Sequence, residues 1–275
     1  MMLDRPKNLS SYMTHLLSQG QIVFTDEQAQ QALQIGKGAL LDAVQKQKRR
    51  NTLITPRRGF YVIVPPQFLS MGAPPPSWYI DALMAHEQRP YYVGVLKAAE
   101  LHGATHQAVM EFQVITDKRM PRIKAGRSAI AFYYRKDMEE VSVGVEDYKT
   151  NTGYMKISDL ELTILDLLRY PQAAAGLNHI VTVLVDLGAR IDGEKLAWLS
   201  ASFERTVSQR LGYLLCTLGY EDKAGQLYER VVQQRLLAWV ELEPALASDD
   251  DFAPEPLVRD RRWRVVVRRI PEPDL

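Results

Sequence analysis

Apolar positions in the first 64 residues repeat three times with a helical period and then change to strand-like runs. In LSSYMTHLLS (9–18), Leu9, Tyr12, Met13, Leu16 and Leu17 fall at i, i+3, i+4, i+7 and i+8, one face of a helix that Gly20 ends. Ile22, Val23 and Phe24 form a short apolar segment. Thr25-Asp26-Glu27-Gln28 then predicts a capping box, with Gln28 reaching back to Thr25 and a short helix ending near Leu33. Asp26 and Glu27 sit against the positive end of that helix dipole. After Gly36 a third helix begins, KGALLDAVQKQK, with Leu40, Leu41 and Val44 as its expected buried stripe. At roughly 100° per residue, the opposite side carries Gly38, Asp42, Gln45, Lys46 and Arg49. TLIT and FYVIV, joined by Pro56-Arg57-Arg58-Gly59, predict a hairpin, because proline presets φ as the turn begins and glycine accepts a positive φ as it closes. Helix–helix–helix–hairpin is the order of a winged helix-turn-helix, whose third helix enters the DNA major groove and whose wing tip meets phosphate or the minor groove.

Pro65-Pro66 and GAPPPS (72–77) favour extended backbone, which predicts a proline-rich connection at 67–77 between a first domain at 1–66 and a second at 78–275. WYIDALMAHE and YYVGVLKAAELHG read as a helix pair, and FQVITDK, SAIAFYYRKD and GYMKIS as strands. SDLELTILDLL opens with Ser158 and Glu161 in capping-box spacing and is apolar all round, so it predicts a buried helix. Further helices are expected at 177–187, around 194–200, at 203–218 and at 222–236, with LLAWVELEP and RWRVVVRRI as closing strands. The fold class is α+β, a winged helix-turn-helix followed by a larger mixed domain.

Composition narrows this only slightly. A hydrophobic content of 46% with 24% charged residues is that of a globular chain, and no apolar run approaches the roughly 18 residues a membrane span needs. The N-terminal stretch lacks an apolar signal-peptide core, and a single cysteine, Cys216, rules out an internal disulfide framework. A cytoplasmic location without membrane contact is the expectation. Charge changes the picture more. Residues 1–64 hold nine Lys/Arg against four Asp/Glu, a net +5, so the remainder holds 25 against 29, a net −4. Such asymmetry points to a polyanionic partner for the first segment. The residues expected to meet double-stranded DNA are Lys37, Gln45, Lys46, Arg49 and Arg50 on the third helix and Arg57 and Arg58 on the wing. A charged helix face is more often merely solvated, and winged helices also dock proteins. The coincidence of basic side chains at helix end and wing tip favours DNA, although Asp42 on the same face repels phosphate.

A second basic run, Lys118, Arg119, Arg122, Lys124, Arg127, Arg135 and Lys136, contains no carboxylate and is either an exposed hairpin or a further nucleic-acid surface. The tail adds Arg259, Arg261, Arg262, Arg264, Arg268 and Arg269, with Arg262 and Arg264 expected to share a strand face opposite Trp263. The acidic stretch before it, 240–256, reads as a solvated loop. Catalytic candidates are weak. His102 and His106 are spaced i, i+4, but Gly103 lies between them and no glutamate base accompanies them as in a zincin helix. Cys216 has no nearby histidine, and Asp117-Lys118 lacks the Glu-x-Lys strand of a nuclease. No metal, cofactor or catalytic residue is expected.

The strings PRRGFYVIVPP (56–66), PPSWYIDALM (75–84), RPYYVGVLKAAELHGATHQ (89–107), FQVITDK (112–118), LDLLRYPQAAAGLNH (165–179) and QRLGYLLCTLG (209–219) resemble the AbiEi family of bacterial abortive-infection antitoxins in type IV toxin–antitoxin systems. The resemblance implies a winged helix that binds inverted repeats in its own promoter and represses it. It also implies a C-terminal domain that counters a nucleotidyltransferase toxin without a stable complex, the protein being a monomer or a weak dimer on DNA. GKGALLDAVQKQ is the chain's own, so no operator preference is implied. A nuclease-like enzyme and a plain winged-helix regulator without an antitoxin role are the alternatives.

Overall fold

A computed structural model describes residues 6–104, 109–232, 238–247 and 254–273. Helix α1 (Leu9–Ser18) starts at Asn8, which exchanges hydrogen bonds with Ser11: Ser11 N donates to Asn8 Oδ1 at 3.0 Å and Asn8 N to Ser11 Oγ at 3.1 Å. Strand β1 (Val23–Thr25) leads into α2 (Asp26–Leu33), and the expected capping box is formed, with Thr25 N donating to Gln28 Oε1 at 2.8 Å. Gln34, in the left-handed region at φ 54°, turns the chain towards α3 (Lys37–Arg49). Strands β2 (Leu53–Arg57) and β3 (Phe60–Ile63) form the expected hairpin, with Gly59 at φ +74° closing its turn. The Ile22–Phe24 segment proves to be a strand: β1 pairs with β3, giving an antiparallel sheet in the order β1–β3–β2.

The three helices bury Leu9, Met13, Leu16, Ala29, Leu40 and Val44 against Phe24, Leu53, Tyr61 and Ile63 of the sheet. Leu41, expected in the buried stripe, is instead 45% exposed. The third inward position goes to Gln47, buried and accepting from Thr52 Oγ1 at 3.0 Å through its side-chain oxygen. Positions 40, 44 and 47 follow one line along the helix, and 41 falls to its outer side.

The proline segment is packed rather than loose. Short 3-10 turns at Pro66–Phe68 and Pro76–Trp78 bring Phe68 edge-on to Trp78 at 5.0 Å between ring centroids. Helix α4 (Ile80–His86) follows, but Tyr91–Val93 is strand β4 and only Val95–Leu101 is helix α5, which corrects the expected helix pair. Gly94 separates them, and all three residues of the Tyr-Tyr-Val run are buried, as the middle of a sheet requires. Strands β5 (Glu111–Thr116), β6 (Ile123–Ala125), β7 (Ser128–Tyr134), β8 (Val145–Thr150) and β9 (Gly153–Ser158) complete a six-stranded mixed sheet in the order β6–β7–β5–β4–β9–β8. β5 and β7 run parallel, while β6 and β7 form an antiparallel hairpin. The edge strands β6 and β8 escape sequence reading because one is too short and the other, VEDYKT, too polar to show an apolar alternation.

Helix α6 (Leu160–Arg169) is buried as expected, but its cap is Asp159, which accepts from Leu162 N at 2.9 Å, and not Ser158. Ser158 Oγ is held by Thr163 Oγ1 at 2.6 Å, and Glu161 accepts from Asp192 N at 2.7 Å, so neither is available for a capping box. Lys195 Nζ approaches Asp159 at 2.6 Å and Glu161 at 3.7 Å. Helices α7 (Leu177–Leu187), α8 (Gly193–Leu199), α9 (Arg205–Thr217) and α10 (Glu221–Val232) lie where the periodicity put them. Strands β10 (Val240–Glu241), β11 (Val258–Asp260) and β12 (Val265–Val267) form a small sheet centred on β12. Residues 261–264 are the turn between β11 and β12, so Arg262 and Arg264 do not share a strand face. The turn tucks Trp263 under α9 at Gly212, where a side chain would clash with the indole.

This is an α+β chain. It divides into two compact units: residues 1–92, 110–136 and 147–156 in the first, and 93–109, 137–146 and 157–275 in the second. Leu40→Ala should lower stability by about 2–5 kcal/mol in urea denaturation, while Leu41→Ala should stay within about 0.5 kcal/mol. Equal losses would mean that the faces of α3 are assigned wrongly.

Candidate nucleic-acid interface

Lys37, Gln45, Lys46, Arg49 and Arg50 are all exposed on α3 or at its C-cap. Gln45, Lys46 and Arg49 project from the side opposite Leu40 and Val44, together with Leu41 and Asp42. Lys46, Lys48 and Arg49 occupy the last turn, where the negative end of the helix dipole stabilises cations. The face is therefore cationic at one end and carries a carboxylate and an aliphatic side chain nearer its start.

The two arginines of the hairpin turn have different surroundings. Arg58 is exposed. Arg57 is largely enclosed, at 18% side-chain exposure: its Nε lies 3.4 Å from Glu87, its Nη2 donates to the Pro121 carbonyl at 2.9 Å, and its guanidinium stacks over Phe132 at 5.6 Å. Further contacts hold the turn. Asp26 N donates to the Gly59 carbonyl at 3.0 Å, the Tyr61 hydroxyl donates to Asp26 at 2.7 Å, and a His86 ring nitrogen lies 3.1 Å from the Arg58 carbonyl. Burial, followed by the hydrogen bond to Asp26, pushes the Tyr61 hydroxyl well above its ordinary pKa, so it stays a donor at any physiological pH. Glu87, His86, Pro121 and Phe132 were not foreseen from the sequence. None has a local signature, and each reaches the turn only through tertiary folding.

Through the Arg57–Pro121 hydrogen bond the structure brings the hairpin turn beside the second basic run. Lys118, Lys124 and Arg127 are exposed there. Arg122 is paired with Glu111 at 2.5 Å, and Arg119 lies over Tyr134 at 5.2 Å. Arg135 is buried. The run is thus part structural and part exposed charge.

Other candidates resolve into packing. His102 is the C-cap residue of α5 through its backbone, a ring nitrogen lies 2.7 Å from the Ser158 carbonyl, and His106 lies outside the described residues. Cys216 Sγ accepts from the Trp263 indole at 3.4 Å. Asp117 faces Arg89 at 3.5 Å. Among the described residues no group of three His, Cys, Asp or Glu side chains is placed to hold a metal ion. In the tail, Arg268 forks onto both oxygens of Glu241 (3.0 and 3.1 Å), and Arg269 Nη2 meets both oxygens of Glu243 at 2.8 Å. Part of the acidic stretch therefore neutralises part of the basic one. No helix of the described residues is long and apolar enough to cross a membrane.

Arg57→Ala should lower stability by about 1–3 kcal/mol, since it leaves a mostly buried carboxylate and a carbonyl without their donor. Arg58→Ala should change it by less than about 0.5 kcal/mol. Equal effects in urea denaturation would dismiss the clamp role of Arg57.

No curated protein matches the chain in sequence. Its fold is similar to the crystal structure of the RV2827C protein from Mycobacterium tuberculosis, at TM-score 0.68 and 16% identity, over 94% of this chain and 90% of that one. Residues 92–217 match the AbiEi antitoxin C-terminal domain, a stretch that includes the RPYYVGVLKAAELHG, FQVITDK and LDLLRYPQAAAGLNH strings almost in full. Residues 92–217 of the chain are thus similar to the C-terminal domain of the AbiEi antitoxins.

Proposed function

We propose that this protein is a DNA-binding autorepressor and antitoxin without catalytic activity of its own. The antitoxin part of the reading starts from the similarity of residues 92–217 to that domain, which implies a toxin as functional partner. The DNA-binding part is carried by one observation: the exposed Gln45, Lys46 and Arg49 on the outward face of α3, within a three-helix and β1–β3–β2 arrangement that has the connectivity of a winged helix. On that reading residues 1–66 are the DNA-binding module, 67–77 the connection and 78–275 the antitoxin part.

In this scheme α3 lies in the major groove of an inverted repeat in the protein's own promoter. Lys46, Arg49 and Arg50 neutralise phosphates or meet guanine edges, Lys37 meets backbone at the helix start, and Gln45 reads a base edge. Leu41, exposed beside Gln45, offers an apolar contact to a thymine methyl, and Asp42 can accept from a cytosine amino group. Arg58 supplies the wing-tip contact, while Arg57 serves chiefly to hold the wing in place. Lys118, Lys124 and Arg127 extend the cationic surface for flanking DNA, with Arg119 and Arg122 held closer to the protein. The toxin would be a nucleotidyltransferase countered without a stable complex, by a monomer or by weak dimers assembled on DNA in the cytoplasm.

The test is gel retardation of the chain's own upstream DNA across a salt series. Affinity should fall with a log–log slope of about −0.9 per phosphate neutralised. The Lys46→Ala/Arg49→Ala/Arg58→Ala variant should bind all sequences more weakly and show a flatter slope. Gln45→Ala should change sequence preference and leave the slope as it is. Unaltered binding by the triple variant would refute the interface. Co-expression with a nucleotidyltransferase toxin separates the antitoxin reading from a plain regulator, which would repress but rescue nothing.

A further inference from the structure

The second unit contains a cavity of about 370 Å³ that the DNA-binding and antitoxin reading does not use. Its walls are mostly aliphatic: Leu168 of α6, Leu177 and Ile180 of α7, and Leu242 after β10, closed by Pro171 and Pro244. That volume lies within the range of about 300–1,000 Å³ of small-molecule sites, which combine an apolar lining with a few convergent polar groups. The cation among its polar lining residues is Arg210. Arg210 of α9 lines the cavity half-buried, and its Nε donates to the Glu241 carbonyl at 2.9 Å. Among the described residues that carbonyl is its one hydrogen-bond partner, so the terminal guanidinium nitrogens bring donors without an acceptor. Burial lowers the pKa of Arg210, the direction of a cation removed from water without a compensating carboxylate. The cavity wall also includes Gly176, the N-cap of α7, where no side chain caps the helix and the positive end of its dipole is left open. Glu243 is the one acidic lining residue, and Arg269 already engages both its oxygens.

An apolar enclosure with a cation and an uncapped helix end on its wall suits a ligand that is apolar along its body and anionic at one end. We propose that this cavity binds a small amphipathic monocarboxylate, its carboxylate on Arg210 and its hydrocarbon part among Leu168, Leu177, Ile180 and Leu242. A guanidinium and a carboxylate match in a planar fork, which neither an alcohol nor an amine reproduces. The site is independent of the DNA face, so it stands or falls apart from the function proposed above.

The probe is decanoate, kept below its micelle concentration and titrated into the full-length protein by calorimetry beside decanol and decyltrimethylammonium. Decanoate should saturate a single site, decanol should bind at least about tenfold more weakly, and the cation should not bind. Arg210→Met should erase the difference between decanoate and decanol. Gln172→Glu, an exposed change on the cavity rim that leaves the core untouched, should weaken decanoate several-fold and leave decanol unchanged. Equal affinity for decanoate and decanol, undiminished decanoate binding by Gln172→Glu, or the absence of saturable binding would each overturn the proposal.

Discussion

Strand β3 has no face in water, and the N-terminal half of the molecule is organised by that constraint. Phe60, Tyr61, Val62 and Ile63 are all at most 3% exposed. Tyr61 and Ile63 point into the helical core, where Tyr61 stacks on Phe24 at 5.1 Å. Phe60 points the other way and packs against the His86 ring at 5.3 Å. A strand buried on both faces must be covered on both sides, and it accepts partners along both edges, here β1 and β2. The three helices meet one demand. His86, at the end of α4, takes part in the other. The hairpin turn is itself seated on protein, through Arg57 and through the Arg58 and Gly59 carbonyls.

Arg57 is the electrostatic counterpart of that seating. An arginine left in a turn without partners costs nothing and stabilises nothing, because water solvates it. One enclosed to 18% exposure must satisfy its donors, and Arg57 does so with a carboxylate, a carbonyl and an aromatic face drawn from three separate stretches of chain. The same division recurs along the chain. Arg122, Arg135, Arg268 and Arg269 are committed to protein by pairing or burial, while Lys46, Arg49 and Arg58 keep their charge outward. A basic run in a sequence is therefore two populations, distinguished by what the fold brings within reach of each side chain.

What the sequence by itself determined is everything carried by neighbours along the chain. The helix from Leu9 to Ser18, the Thr25–Gln28 capping box, the Gly59 turn and the spans of α7 to α10 follow from spacings of two to four residues and from local hydrogen bonding. The α+β class and the outward set Gln45, Lys46 and Arg49 follow from the same periodicity. Only the tertiary structure decided the rest. Whether Leu41 or Gln47 turns inward depends on which helices pack beside α3. Asp159 displaces Ser158 as the cap of α6 because Thr163 and Asp192 engage the residues that the capping box needed. The edge strands β6 and β8 exist because a neighbour offers them a ladder, not because their residues alternate. Arg57 and Arg58 are adjacent, chemically identical and indistinguishable by any local rule. Glu87, Pro121 and Phe132, each 30 or more positions away in sequence, make one of them a structural clamp and leave the other facing solvent.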